Sequence, residues 1–239
     1  MAELIELLIA AFTQLTAVEG SPTHIIVHVS TRICSRIQLL RILIKIDNNK
    51  FNSLHDNKRL FNNFSELPKD LLKGLEAVNE CIQEAYARFY NCSCSDVIVN
   101  GGVLRSLFEC PRQGYHMDDE LPTQFSMFFG LERYNHVHIA THWNADKRKL
   151  EGKSIVKYAA GDLVICKPML PHAGAFHSIY HHRLFYSIGK LAVDVTSQRW
   201  FYEKGHKYLL HNKIGIHKEK LKCIRNIPFC DDNEYSSDV

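Results

Sequence analysis

From residue 96 onward, short runs rich in apolar and β-forming residues recur, at 97–99, 103–109, 124–129, 135–142, 154–158, 163–166 and 183–188. Gly, Pro, Asn or charged residues close each run. A two-residue period puts every second side chain on one face of an extended strand, and many short runs divided by turn residues predict a sandwich or barrel. Before residue 96 the period lengthens. Leu71, Leu75, Val78, Ile82, Ala85 and Phe89 recur at intervals of three and four, which predicts a helix with one apolar face. Ser65 is placed to cap that helix and Pro68 to sit in its first turn. Residues 1–18 have the spacing of a second amphipathic helix, and Glu3 and Glu6 stand where a secretory leader would carry cations.

Between these helices, residues 24–29 read as a strand, residues 37–46 fit helix or strand equally, and the Asn-, Lys- and Asp-rich stretch 47–63 reads as a surface loop. The predicted organisation is a single domain over residues 1–239, mainly β with flanking helices (α+β). A mostly helical region (1–95) packs on a β core of jelly-roll type (96–205), followed by an extension (206–239) that ends in a disordered tail from Asp231. Arg199, Trp200, Phe201 and Tyr202 open a stretch rich in Lys and His that runs to Lys222. It reads as a helix and strand packed on the barrel, with nucleic-acid contact as the rival reading.

Composition changes this picture only at its edges. The chain is 46% apolar and 10% aromatic, enough for a substantial core, and a net charge of +3 calls for no polyanionic partner. Its eight cysteines include no Cys-x-x-Cys pair, so neither a disulfide framework nor a zinc site is expected. Free thiols fit a reducing compartment, hence an intracellular location, cytoplasmic or nuclear. No run reaches the roughly 18 apolar residues of a membrane span.

The candidate chemistry lies in three places. His116 and Asp118 are two apart, so on a strand they share a face while Met117 takes the other. Gly161-Asp162 signals a turn, residues 163–166 form an apolar strand, and Pro168 and Pro171 end it just before His172, which the strand delivers at its far end. If His172 faces the first pair across a barrel, two imidazoles and a carboxylate form the facial set that suits non-haem Fe(II). Eleven positions on, Arg183 opens a return strand. Its planar guanidinium can hold a carboxylate through two hydrogen bonds. His177 competes with His172 for the third position, but His172 comes directly off the strand end. His136, His138 and His142 also alternate and offer a rival Zn, Ni or Cu site of cupin type; no carboxylate accompanies them, so pocket lining or surface is the preferred reading.

His116-x-Asp118, Gly161-Asp162, Leu170-Pro171-His172 and Arg183 together resemble the Fe(II)- and 2-oxoglutarate-dependent oxygenases. Their spacing is most similar to the phytanoyl-CoA dioxygenase-like branch, over residues 97–188. The resemblance implies a double-stranded β-helix buttressed by N-terminal helices, with His116, Asp118 and His172 as iron ligands and Arg183 binding the distal carboxylate of 2-oxoglutarate. It further implies O2 as a co-substrate and hydroxylation, or demethylation by hydroxylation, of a small molecule, lipid, peptide or nucleic acid. The chain departs from many relatives at Phe185, where they carry Ser or Thr, and it lacks the Asn-Gly and Pro-Gly-Ser-His segment common between the two metal motifs of that branch. The alternatives are a cupin-type metal protein that uses no 2-oxoglutarate, and a catalytically dead binding module.

Overall fold

The computed structural model describes residues 1–17, 20–53, 58–118, 122–144, 146–147, 149–190 and 199–200. The chain opens with helix α1 (Ala2–Thr16), strand β1 (His24–His28) and helix α2 (Arg36–Leu43). The short strands β2 (Asn52–Ser53) and β3 (Arg59–Asn63) lead to the long helix α3 (Lys69–Phe89). From there the chain is β: β4 (Ile98–Ser106), β5 (His116–Met117), β6 (Phe125–Gly130), β7 (Asn135–Ile139), β8 (His142–Asn144) and β9 (Lys149–Glu151). The last strands are β10 (Ser154–Tyr158), β11 (Asp162–Cys166), β12 (His172–Gly174), β13 (His181–Gly189) and β14 (Arg199–Trp200).

Twelve of these strands form two antiparallel sheets that face each other. The larger has the order β1-β11-β6-β13-β4-β3-β2, the smaller β10-β7-β12-β5-β14, and β8 pairs with β9 in a separate hairpin. Alternation along each strand divides the apolar residues between two cores. On β13, Phe185 turns into the barrel with Phe61, Leu104, Phe128, Val137, Val156 and Val164. Its neighbours Leu184, Tyr186 and Ile188 point outward to the helices. The helical stripes meet them there: Leu8 and Phe12 of α1 and Leu71, Leu75, Val78 and Ile82 of α3 are all fully buried. Phe12 packs on Phe125 of β6 with ring centroids 4.6 Å apart. Each such side chain contributes about 1.5–3 kcal/mol relative to leaving it in water.

Three local expectations need correction. The stretch 47–63 is not simply a loop. Residues 59–63 form β3, which pairs along its whole length with β4 and buries Arg59, Leu60, Phe61 and Asn62. Residues 1–95 therefore supply three strands as well as the flanking helices. Nor does Ser65 cap α3. The residue before a proline is forced into extended backbone, and Leu67 adopts ψ 156°, so the helix begins after Pro68 and Ser65 stays in a separate 3-10 turn. Finally, the run 135–142 is two strands: β7 ends at Ile139, and β8 begins at His142 in another sheet. The extension at 206–239, its tail and most of the basic aromatic stretch lie outside the described residues. Among those described, no helix is long and apolar enough to cross a membrane, and Cys34, Cys81, Cys92, Cys94, Cys110 and Cys166 carry free thiols.

Arg105, on the outward face of β4, fastens the N-terminal region to the sheet. Its guanidinium donates to the carbonyls of Leu43 and Ile46 at the end of α2, to Asn48 Oδ1 at 2.8 Å and to His182 Nε2 at 3.0 Å. His182 Nδ1 in turn lies 3.1 Å from Glu132 Oε1. Removing the guanidinium orphans several buried acceptors, and Arg105→Ala is expected to cost about 3 kcal/mol. At roughly 2–4 °C per kcal/mol for a chain of this size, Tm falls by roughly 6–12 °C in a thermal melt. An unchanged Tm would mean that these carbonyls are satisfied without it.

Candidate metal centre

His116 and His172 meet because two very short strands pair. β11 ends at Cys166, a turn from Lys167 to Leu170 carries the chain to the smaller sheet, and His172 opens β12, where its Cα is the direct antiparallel partner of His116. His172 thus begins its own strand and stands beside the upstream pair in the same sheet, not across the barrel from it. Directly opposed residues project to the same face, here the interior. The two imidazole centroids lie 4.6 Å apart. Asp118, one residue beyond β5, joins them. Its Oδ2 is 3.2 Å from His172 Nε2 and its Oδ1 3.6 Å from His116 Nε2. One ligand atom from each of the three lies within 4.8 Å of the others, and all three residues are buried; among the described residues no other group of His, Cys, Asp or Glu converges in this way.

The supporting contacts turn the ligand atoms of this trio inward. His116 Nδ1 lies 3.1 Å from the carbonyl of Gly114, and His172 Nδ1 lies 3.1 Å from that of Leu170. A carbonyl only accepts, so each Nδ1 carries the hydrogen and each Nε2 presents its lone pair inward, the tautomer of a metal-bound histidine. Ser126 Oγ donates to Asp118 Oδ2 at 2.8 Å. Burial alone would raise the carboxyl pKa of Asp118, but His172, His116 and the Ser126 hydrogen bond outweigh it and hold the group well below the usual carboxylate range. The converse holds for His172, whose burial is overcome by the neighbouring carboxylate so that its pKa is raised. An anion between two imidazoles, walled by Phe128 at 5.2 Å from the His172 ring, is a fit receptor for a divalent metal.

Arg183 projects from the opposite sheet. It shares the inward face of β13 with Phe185 and is almost fully buried. A Cβ placed on Gly174 would lie 2.5 Å from Arg183 Nη2 and 2.5 Å from Gln113 Oε1, so glycine at this position admits the guanidinium tip. His177 belongs here and not to the trio. Its Nε2 lies 3.1 Å from Arg183 Nη1, and its ring stacks on His181 at 3.9 Å. Burial, and after it the Arg183 charge, pushes His177 well below the usual histidine range. Arg59, wholly buried on β3, donates to the carbonyls of Pro111 at 2.9 Å and Ala175 at 3.0 Å, bracing the loops around this end of the barrel.

His181 makes this end sensitive to acid. Its Nε2 donates to the Tyr134 carbonyl at 3.0 Å, while burial, followed by the Arg183 charge, lowers its pKa from 6.5 to about 3. Between those values the unfolded chain binds the proton and the folded chain does not. Stability is therefore lost as pH falls below about 6.5, by up to about 1.4 kcal/mol per pH unit. His181→Gln keeps the amide donor for Tyr134 and removes the titration. Its unfolding free energy should fall less between pH 7 and pH 5 than that of the parent, by about 2 kcal/mol; parallel pH dependences would refute this.

The rival histidines are dispersed. His136 and His138 are half-buried on β7 and His142 is exposed in the hairpin, where its Nε2 pairs with Glu151 at 3.1 Å. Sequence reading passed over Ser126, Arg59 and Gly174, whose roles arise only once distant strands are in register.

No protein-family model matches the chain, and no curated protein sequence matches it significantly. Solved structures do resemble it. A prolyl hydroxylase from Trichoplax adhaerens, in complex with a hypoxia inducible factor oxygen degradation domain peptide fragment, has a TM-score of 0.56 at 10% identity and covers 79% of this chain and 91% of its own. A Pseudomonas putida prolyl-4-hydroxylase has a TM-score of 0.55 at 10% identity, covering 76% and 98%. The non-heme alpha ketoglutarate dependent epimerase SnoN from nogalamycin biosynthesis has a TM-score of 0.55 at 11% identity, covering 84% and 86%. At such identities the likeness is one of fold. This chain has the double-stranded β-helix seen in 2-oxoglutarate/Fe(II) oxygenase structures, α+β in class.

Proposed function

We infer that the protein is an Fe(II)- and 2-oxoglutarate-dependent dioxygenase. The observation that carries this reading is the inward convergence of His116 Nε2, His172 Nε2 and the Asp118 carboxylate within 4.8 Å, with both Nδ1 atoms turned away to carbonyls. Two imidazoles and one carboxylate on one side of a cation leave positions open for other ligands. The chemistry supplied by the bound metal is oxidation of a substrate C–H bond by O2, coupled to conversion of 2-oxoglutarate to succinate and carbon dioxide. The protein's own part is to hold and to exclude. Asp118 stays anionic through Ser126 and the imidazoles, Arg183 anchors the distal carboxylate of the co-substrate, and Phe128, Leu104, Val164 and Phe185 keep water from the interior. Hydroxylation, or demethylation of an N-methyl or O-methyl group, is the outcome assigned. Within the class, the spacing from Gly161-Asp162 to His172 favours the phytanoyl-CoA dioxygenase-like branch.

The test is anaerobic titration of the purified protein with Fe(II) and then 2-oxoglutarate. A weak visible metal-to-ligand charge-transfer band that saturates near one equivalent is expected, as is slow substrate-independent succinate formation on admitting O2. Iron binding without that band would point to a cupin-type metal protein, and no iron binding to a dead module.

A further inference from the structure

The larger sheet ends on one side at β1, and among the described residues no strand pairs with the outer edge of β1. The bonds to β11 show which backbone groups face that way. Lys167 N–H donates to the Thr23 carbonyl at 2.9 Å, and Val29 N–H donates to the Gly161 carbonyl at 2.8 Å. Successive residues of a strand turn their N–H and C=O to alternate sides. Ile25 and Val27 therefore also bond to β11, and His24, Ile26 and His28 present their backbone groups outward. Exposed edges are commonly blunted by Pro, Lys or a bulge. β1 has none of these, and Ile26 at its centre is 42% exposed.

Beside this edge lies a groove of about 680 Å³ bounded by β1 and by α1 along most of its length. Glu3, Leu7, Ala10 and Gln14 line the helical side, and all four are exposed. Their spacing of four, three and four is that of the seam between two packed helices.

Both elements are self-complementary when reversed. The strand reads His-Ile-Ile-Val-His, so an antiparallel copy of itself centred on Ile26 sets Ile26 against Ile26, Ile25 against Val27 and His24 against His28. In that register the outward groups fall in the hydrogen-bonded pairs, each residue donating to its opposite and accepting from it. Ile25 and Val27 meet on the side that carries α1. A two-fold axis through the Ile26 pair brings the second α1 across the groove, running the other way. Reversal of the helical stripe sets Leu7 against Ala10 and Glu3 against Gln14, so a large side chain meets a small one and a carboxylate meets an amide donor. Size is consistent with this. Fourteen residues line the groove. At about 800 Å² for the 20–30 residues that each partner gives a standard interface, they amount to roughly 400–550 Å² a side, the range of weak, reversible association.

We propose that two copies of the chain associate through β1 and α1, joining their larger sheets edge to edge across a two-fold axis. The association does not depend on the chemistry of the metal centre.

The test is sedimentation equilibrium of the purified full chain, from submicromolar to several hundred micromolar. A 27.6 kDa monomer in reversible equilibrium with its dimer is expected, with a dissociation constant in the micromolar range. Ile26→Lys sets two like charges directly opposite each other and should weaken the dimer by about 100-fold or more. Leu7→Glu, on the other element, puts a charge into the helix contact and should weaken it by roughly tenfold. Both side chains are exposed in the single chain, so both variants should keep the parental Tm at concentrations where the parent is monomeric. Ile155 on β10, 40% exposed, is the matched control, and Ile155→Lys should leave the equilibrium unchanged. A parent that stays monomeric throughout, a dimer that tolerates either Ile26→Lys or Leu7→Glu, an equal response to Ile155→Lys, or a Tm several degrees lower in both variants would each overturn the proposal.

Discussion

Asp118→Ala is expected to weaken Fe(II) binding by more than about 100-fold. Even contacts that merely orient a metal ligand are worth about 10- to 100-fold, and Asp118 is the only carboxylate of the trio. Its loss leaves two neutral imidazoles facing a cation with no anion to balance it. Equilibrium dialysis or competition with a chromogenic chelator reads the change directly and requires no substrate. Ser126→Ala, which removes only the donor to Asp118 Oδ2, should fall between parent and Asp118→Ala, at about tenfold. Undiminished iron binding by Asp118→Ala would mean that the convergence of the three residues serves the fold alone.

The second large effect separates the co-substrate from the metal. Arg183→Ala should leave Fe(II) affinity near the parental value and weaken 2-oxoglutarate binding by roughly 30- to 3,000-fold. Truncating one partner of a buried charged pair costs about 2–5 kcal/mol, at 1.4 kcal/mol per decade. The geometry supports this division, for Arg183 stands on the opposite sheet from His116 and His172, and its tip lies against Gly174. Titration with the charge-transfer band as readout measures both constants in one experiment. A cupin-type protein would be indifferent to the substitution.

The strands that the sequence announces are those whose pattern is decided locally. β10 matches the run 154–158, and β11 extends the run 163–166 by one residue, because Gly161, Pro168 and the apolar residues between them are all close at hand. β3 escapes notice because two of its buried residues, Arg59 and Asn62, are polar and find their partners at Pro111, Ala175 and Lys50, positions that no local pattern links to them. β12 is only three residues long, directly after a proline, so His172 reads as the end of one strand when it starts another. The site shows the same division. His116 and Asp118 share a face for reasons visible in two residues of spacing. That His172 is their neighbour within one sheet and that Ser126 holds the carboxylate are consequences of register between strands, which hydrophobic period does not encode.

The pairing of β1 with β11 bears on how the protein is made. His24 is aligned with Cys166, so one edge of the larger sheet is contributed from near the start of the chain and completed only by residues more than a hundred positions later. At about 5–20 residues per second on the ribosome, the first strand waits roughly 7–28 s for its partner to emerge, although α1, whose Phe12 packs on Tyr86 and Phe89 of α3, can be covered sooner. Nascent chains stalled before Cys166 should therefore be captured by chaperones and cut readily by protease near β1, and protection there should appear only once β11 has left the exit tunnel.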